Sequence, residues 1–244
     1  MYEELMQKAI DNSKGLYVED YVIGLGMTAV KLNNGWCGVT HTFREEIFGG
    51  CSPFPDLLET GIEAKKFVGL YDSTDILLSS LGLATINAIL NSEISFDKKG
   101  DIFDSLSIKH DDVVALVGDI MPLAASIRKF GPKKIYIFER RGETGKLPDW
   151  AIYQLMKEID VLLLSSSTLI NKTFFNLIEK SQTDRVALIG PSTTFCPDIL
   201  KGVKIFGGAK ILNADKLLKI SARAGGTKNV YKSGAAEKVQ LILG

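Results

Sequence analysis

Residues 185–197 read RVALIGPSTTFCP. The first half of this stretch, residues 186–189, is an unbroken apolar run, short enough to be a strand covered on both faces. Gly190 and Pro191 stop it, and Ser192, Thr193 and Thr194 then place three hydroxyls in a row. Such a run is not expected inside a core, because three adjacent buried hydroxyls would each need a partner. The run therefore predicts a small-residue loop at the carboxyl end of a buried strand, where open α/β sheets hold their ligands. A helix-entry turn, capped by one of the hydroxyls, accounts for the same residues.

The pattern extends to both sides. Strands are expected at 113–117, 134–138, 161–164, 186–189 and 203–206. Helices are expected at 122–130, 149–159, 168–180 and 215–220, with a short one near 197–200. Continuous apolar strands alternating with helices specify an α/β fold with a parallel, doubly wound sheet in the C-terminal part. Strand order is not legible.

The N-terminal part has a different character. A helix over 2–13 carries Leu5, Met6, Ala9 and Ile10 on one stripe. Runs at 21–25 and 27–32, the tight-turn signal Asn33-Asn34-Gly35 and a return strand at 36–43 form a β-meander. Residues 44–55, with two glycines and two prolines, are a loop. Thr60-Gly61-Ile62-Glu63 has the pattern of a capping box opening a helix to about Leu70. Ser73 or Asp72 caps a second helix to about Asn91. Together they make a smaller α+β unit. The polar stretch 92–112 is a linker pinned by Ile102, Phe103 and Leu106, dividing the chain into 1–95 and 96–244.

Lysine plus arginine and aspartate plus glutamate number 29 each, so the 244-residue chain has no formal net charge. That balance argues against a nucleic-acid surface. No apolar run approaches the roughly 18 residues that span a bilayer, and the N-terminus lacks a secretory apolar core. The three cysteines, Cys37, Cys51 and Cys196, have no CxxC spacing, which argues against a disulfide framework. The expectation is a soluble cytoplasmic protein with no nucleic-acid or membrane partner. Homo-oligomerisation stays open.

In a parallel sheet every carboxyl end faces one edge. The residues there are Gly118-Asp119, Glu139-Arg140-Arg141, Ser165-Ser166-Ser167-Thr168, Gly190 to Thr194 (with Pro191 and Ser192), and Gly207-Gly208. Glu139 lies about 20 residues beyond Gly118, where a dinucleotide-binding unit keeps its ribose-binding acid. The glycine fingerprint is missing, since Met121 and Leu123 stand where backbone must approach a pyrophosphate and Asp119 adds a like charge. NAD binding is therefore disfavoured. Glu139 faces the cleft, pairs with Arg140 or Arg141, or sits solvated on the strand end.

Ser167 or Thr168 is expected to cap the helix that follows the third of these strands. Asn171, one turn in, can point back to the mouth, and backbone N–H groups here and at 192–194 suit an anion or carboxylate. Asn87 is a lone amide on an apolar helix face, which a helix–helix hydrogen bond also explains. No catalytic triad is visible, because His41 and His110 fall outside these strand ends. Cys37 and His41 share a strand face but lie roughly 13 Å apart, too far for one ion. Cys51 joins them only if its loop folds back. Asp119 and Glu139 offer only two certain oxygens to a hard cation.

The motifs GWCGVTHT (35–42), LGLATINA (81–88), VALVGD at the first strand end, YIFE (136–139), SSSTLINKT (165–173) and LIGPST (188–193) occur in this order. The series resembles the family described as putative heavy-metal chelation proteins, and the resemblance covers most of the chain. It implies an enolase-N-terminal-like domain joined to a Rossmann-like domain, with a site in the cleft between them. By that resemblance Thr42 and Asn87 come from the first domain, and Glu139, Asn171, Thr173, Ser192 and Thr193 from the second. The hydroxyl- and amide-rich strand ends facing a second domain point to a small anionic or metal-chelating ligand; the cofactor stays open, with a metal ion or metal chelate as the candidate. Whether the protein is an enzyme stays open. A nucleotide-dependent enzyme (methyltransferase or dehydrogenase) and a non-catalytic metal carrier are the alternatives.

Overall fold

The structure, a computed structural model, describes residues 2–47, 58–140 and 144–244. The first helix, Tyr2–Asp11 (α1), buries Leu5 and Ala9, which lie one turn apart on the same stripe. Strands Val18–Ile23 (β1), Met27–Leu32 (β2) and Cys37–His41 (β3) pair in that order as an antiparallel sheet. The predicted turn joins β2 to β3, with Gly35 at φ +85°. Helices Ala64–Gly69 (α2) and Ile76–Leu90 (α3) complete this part.

The α3 sequence, ILLSSLGLATINAIL, has no polar stripe, and a helix apolar on all sides has to be enclosed on all sides. Ser79, Ser80, Thr85 and Asn87 are buried along with its apolar residues. Their polar groups must then find partners inside the protein. Strand β3 crosses α3 at Gly38, where a Cβ would come within 2.0 Å of the Ala84 carbonyl oxygen. Only glycine fits that crossing. Val18, Val30 and Leu32 share a core with α3, whereas Met27, Ala29, Cys37 and Val39 pack against Leu217 and Ala209. The small sheet is thus covered on both faces.

Beyond it come Lys98–Lys99 (β4), Val113–Val117 (β5), Met121–Phe130 (α4), Lys134–Glu139 (β6), Leu147–Pro148 (β7) and Ile152–Leu155 (α5). Then follow Val161–Ser165 (β8), Ser167–Ile170 (α6), Phe174–Lys180 (α7) and Val186–Ile189 (β9). Ile205–Ile211 (β10), Ala214–Ala222 (α8), Thr227–Ser233 (α9) and Ala236–Ile242 (β11) end the chain. The eight strands form one sheet in the order β4-β11-β10-β9-β8-β5-β6-β7. From β10 to β7 all neighbours are parallel. The two remaining strands pair antiparallel.

Numbered in chain order, the parallel strands run 3-2-1-4-5-6, the doubly wound order that reverses between its first and fourth strands. Here the reversal lies between β5 and β8. Alternation along the strands serves two cores. Ala115, Val117, Leu162, Leu164 and Leu188 join the core that contains α3. Val114, Leu116, Leu163 and Ala187 pack with Leu123, Ala124 and Ile127 of α4.

Several elements depart from the sequence expectation. The 60–63 pattern is no capping box: α2 starts at Ala64 and Glu63 makes no side-chain cap. Gly61 stands at φ +77°, and residues 61–64 pair backbone to backbone with residues 16–18. Helix α3 is capped by Asp75, whose carboxylate accepts from the Leu77 and Leu78 N–H groups. Neither Ser73 nor Asp72 caps it: Asp72 ends a 3-10 turn, Leu70–Asp72, and the Ser73 hydroxyl accepts from the Asp75 N–H.

The helix expected at 168–180 is broken. Lys172 adopts φ +59°, and Asn171 Oδ1 accepts from the Thr173 N–H and hydroxyl, an Asx-type turn that competes with the helix. Residues 149–159 form three short turns rather than one helix, and 197–200 is a single turn. Gly207 and Gly208 lie inside β10 rather than at a strand end. The linker contributes β4 and buries Ile102 and Leu106. Most of the 44–55 loop, Cys51 and Arg141 lie outside the described residues.

Candidate functional site

The carboxyl ends of β5, β6, β8 and β9 open into a cavity of about 1080 Å³. Its floor is made where the sheet reverses. Gly118 stands at φ +88°, and a Cβ there would lie 2.7 Å from Ser165 Cβ; Gly190 stands at φ +139°, and its Cβ would lie 2.4 Å from Ser166 Oγ. The two glycines let three strand ends close on one another. Ser166, enclosed by them, is 1 % exposed, and its hydroxyl has no hydrogen-bond partner among the described residues.

Neither Ser167 nor Thr168 caps α6 through its side chain; the N-cap is Ser166. The hydroxyls of Ser165 and Ser167 bond each other at 2.8 Å, and the Thr168 hydroxyl donates to the Ser165 carbonyl at 2.7 Å. Asn171 and Thr173 also line the cavity.

Glu139 faces the cavity. Its carboxylate accepts from the Asp119 N–H at 3.0 Å and the Arg140 N–H at 2.9 Å. Asp119 pairs with Lys146 at 2.7 Å. The two acids therefore face separate protein partners. Arg140 reaches Glu46 at 2.7 Å.

The three adjacent hydroxyls are the main correction to the sequence expectation. Ser192, Thr193 and Thr194 are wholly buried, and each has the partner that burial demands. The Ser192 hydroxyl accepts from the His41 N–H at 2.8 Å, and the Thr193 hydroxyl donates to the Gly207 carbonyl at 2.8 Å. The Thr194 hydroxyl donates to Asn87 Oδ1 at 2.5 Å. Asn87 Nδ2 in turn donates to the carbonyls of Val39 and Ser192. This one amide ties α3, β3 and the loop after β9 together.

Ten of the thirteen candidate residues therefore meet at one cavity: Gly118, Asp119, Glu139, Ser166, Thr168, Asn171, Thr173, Gly190, Pro191 and Ser192. Thr42, Asn87 and Thr193 do not line it. Thr42 is buried with its hydroxyl 2.9 Å from that of Thr28.

His41 does line the cavity, contrary to the expectation that it falls outside the strand ends. The small sheet delivers it there through the contact between its N–H and Ser192. The protein packed around the ring and the Arg44 charge lower its pKa, and Glu139 opposes them. His110 is remote and stacks on Phe130 at 4.4 Å. Also unforeseen are Lys228 on α9, a helix the sequence did not suggest, and the exposed Met121, Trp150 and Tyr153.

Among the described residues no group of three or more His, Cys, Asp or Glu is placed to hold a metal ion. Burial pushes the Cys37 thiol up to about 12, and burial with the neighbouring Asp198 pushes Cys196 up to about 11. Protonated thiols are poor metal ligands. These residues do not fit a resident heavy-metal ion. No helix of the described residues is long and apolar enough to cross a membrane.

A large, mostly parallel eight-stranded sheet, joined to a small antiparallel one through a shared buried helix, defines the class as mixed α/β. Two family models, both described as "Putative heavy-metal chelation", match residues 2–90 and 101–240. The chain belongs to this family. It is 29 % identical over 231 residues to an uncharacterized protein of Methanocaldococcus jannaschii, covering 88 % of each chain.

Two crystal structures of DUF364-family proteins of unknown function share the fold. That from Pyrococcus horikoshii has a TM-score of 0.84 at 22 % identity, covering 99 % of both chains. That from Desulfitobacterium hafniense has a TM-score of 0.79 at 23 % identity, covering 98 % of this chain and 99 % of that one.

Proposed function

We propose that the protein binds a small anionic or metal-chelating molecule in the cavity between the small sheet and the strand ends of the large one. A metal, where one is carried, arrives as cargo already held by the chelator. The observation that carries this is the Ser166 hydroxyl. It is buried on the cavity floor with no partner among the described residues, and a buried hydroxyl without one costs about 1–3 kcal/mol. A polar ligand atom would satisfy it. The Asn171 amide nitrogen makes no hydrogen bond to the described residues and is a second donor in the same wall.

The charges of the wall are close to balanced: Arg140 lies 3.8 Å from Asp149, and the Glu139 carboxylate has only backbone N–H donors among the described residues. Asp101 pairs with Lys238, and Asp119 with Lys146. Lys228 lines the cavity with no ion pair among the described residues.

A nucleotide is the second candidate, favoured by the strand order and by Glu139 at the end of β6. The turn after β5 counts against a pyrophosphate, since Pro122 removes an N–H from the start of α4.

The test is mass spectrometry and elemental analysis of protein purified without chelating resin, comparing wild type with Ser166→Ala and Asn171→Ala, alongside thermal-shift assays with NAD(P) and S-adenosylmethionine. Co-purification of a small anion or chelate, depleted in both variants, is expected. Retention unchanged in the variants, or stabilisation by the nucleotides alone, would refute the proposal.

A further inference from the structure

Part of the cavity lining differs in chemistry from its floor. Seven large hydrophobic side chains are exposed among the described residues, and three of them, Met121 at 71 %, Trp150 at 61 % and Tyr153 at 41 %, line this single cavity. A tryptophan is ordinarily well covered, and an apolar cluster left open beside polar groups marks a contact surface. The three side chains come from separate segments. Met121 begins α4, Trp150 lies in the turn Asp149–Ala151 after β7, and Tyr153 is on α5. No single helix stripe explains their exposure. The Tyr153 hydroxyl accepts from Asn176 Nδ2 at 2.7 Å, which holds the ring in place.

The floor, by contrast, is polar: the unpartnered Ser166 hydroxyl, Ser165, Ser167 and the Glu139 carboxylate. A volume of about 1080 Å³ exceeds what a hydrated ion or a two-carbon acid would fill and matches an organic molecule of drug size. Aromatic walls recognise flat rings by stacking, and a thioether adapts to their edges.

We infer that the ligand of this cavity has a flat ring system, packed on Met121, Trp150 and Tyr153, with its polar edge turned to the hydroxyls at the strand ends. The inference rests on the ligand-binding role proposed above and names the ligand's class: a ring-bearing organic anion or chelate rather than an aliphatic one.

The chain has only two tryptophans, and Trp36 lines a separate small cavity. A Trp36→Phe protein therefore reports from Trp150 alone, with Trp36→Tyr as the substitute should the first lose its melting transition. Two probes are titrated by calorimetry and by quenching of that fluorescence: the nickel complex of 8-hydroxyquinoline-5-sulfonate, which is flat and anionic, and nickel citrate, which is aliphatic. The expected result is saturable binding of the flat complex with quenching, at least tenfold tighter than citrate and weakened about tenfold by Met121→Ala or Tyr153→Ala. Both side chains are exposed, so neither change should disturb folding.

Citrate binding as tightly as the flat complex, or variants that leave the flat complex's affinity unchanged, would overturn the ring inference while the cavity keeps its ligand-binding role. Failure of both probes to bind at millimolar concentration would overturn that role as well.

Discussion

Replacing Asn87 with alanine should unfold the protein far more easily than a substitution of one small amide suggests. Asn87 is 1 % exposed and takes part in three hydrogen bonds, at 3.2, 3.1 and 2.5 Å, to Val39, Ser192 and Thr194. Each such bond contributes about 1 kcal/mol net, and each buried group left unpaired costs about 1–3 kcal/mol. Alanine removes all three bonds and strands the Thr194 hydroxyl, for a loss of about 4–6 kcal/mol. Typical domains have about 5–15 kcal/mol in total. For a chain of this size the melting temperature should fall by roughly 8–24 °C.

Thr194→Val, which deletes one bond, should cost about 1–2 kcal/mol. Urea denaturation followed by fluorescence and circular dichroism measures both. The double variant should lose about 1–2 kcal/mol less than the sum, because the two residues are direct partners. An Asn87→Ala protein within about 0.5 kcal/mol of wild type, the spread of ordinary surface changes, or strict additivity in the cycle, would refute the clamp.

Gly190→Ala should lower stability by about 1–3 kcal/mol, since the position has a backbone conformation reserved for glycine. Adding Ser166→Ala should return part of that loss by clearing the atom the new Cβ meets; no recovery in a thermal melt would contradict the packing described. Asp112 is buried and gripped by Arg185 at 2.7 and 2.9 Å. Burial raises its carboxyl pKa, but the Arg185 guanidinium and the Lys109 N–H outweigh burial and hold it below the usual value. The resulting stability is present above the unfolded-chain value of about 3.9 and is lost as pH falls through the depressed folded value. Asp112→Asn should therefore flatten the decline in stability between about pH 5 and pH 2; an unchanged slope would refute it. Lys228→Glu should weaken whichever nickel probe binds several-fold at low salt, with the gap narrowing at high salt. Equal affinities for wild type and variant would exclude a charge role.

The large sheet was legible because each of its inner strands is a short apolar run bounded by turn residues, as in VVALV and VALI. β11 escaped notice because AEKVQLI mixes charged and apolar residues, as suits an antiparallel strand near a sheet edge. The broken helix after β8 hid for a local reason: Asn171 offers Thr173 a turn that competes with helix, and apolar periodicity does not register it.

That Gly118, Ser166 and Gly190 lie together is legible because parallel strands bring their ends to one edge whatever their order. The sequence places the hydroxyls at 192–194 on the loop after β9 but reads them as facing a ligand, whereas all three are buried against protein partners. Their partners come from Asn87, His41 and Gly207, distant in sequence, so burial could not be judged from the run itself. His41 was excluded for the same reason: its strand belongs to the small sheet, and only the packing of β3 against the loop after β9 carries it to the cavity.

A crystal structure of the protein as purified, without added chelator, tests the central claim most directly. A bound organic molecule is expected on the cavity floor, with a polar atom within hydrogen-bond distance of Ser166 Oγ and its body against Trp150. A ligand seated elsewhere on the molecule, with Ser166 satisfied by a rearranged protein group, would contradict it.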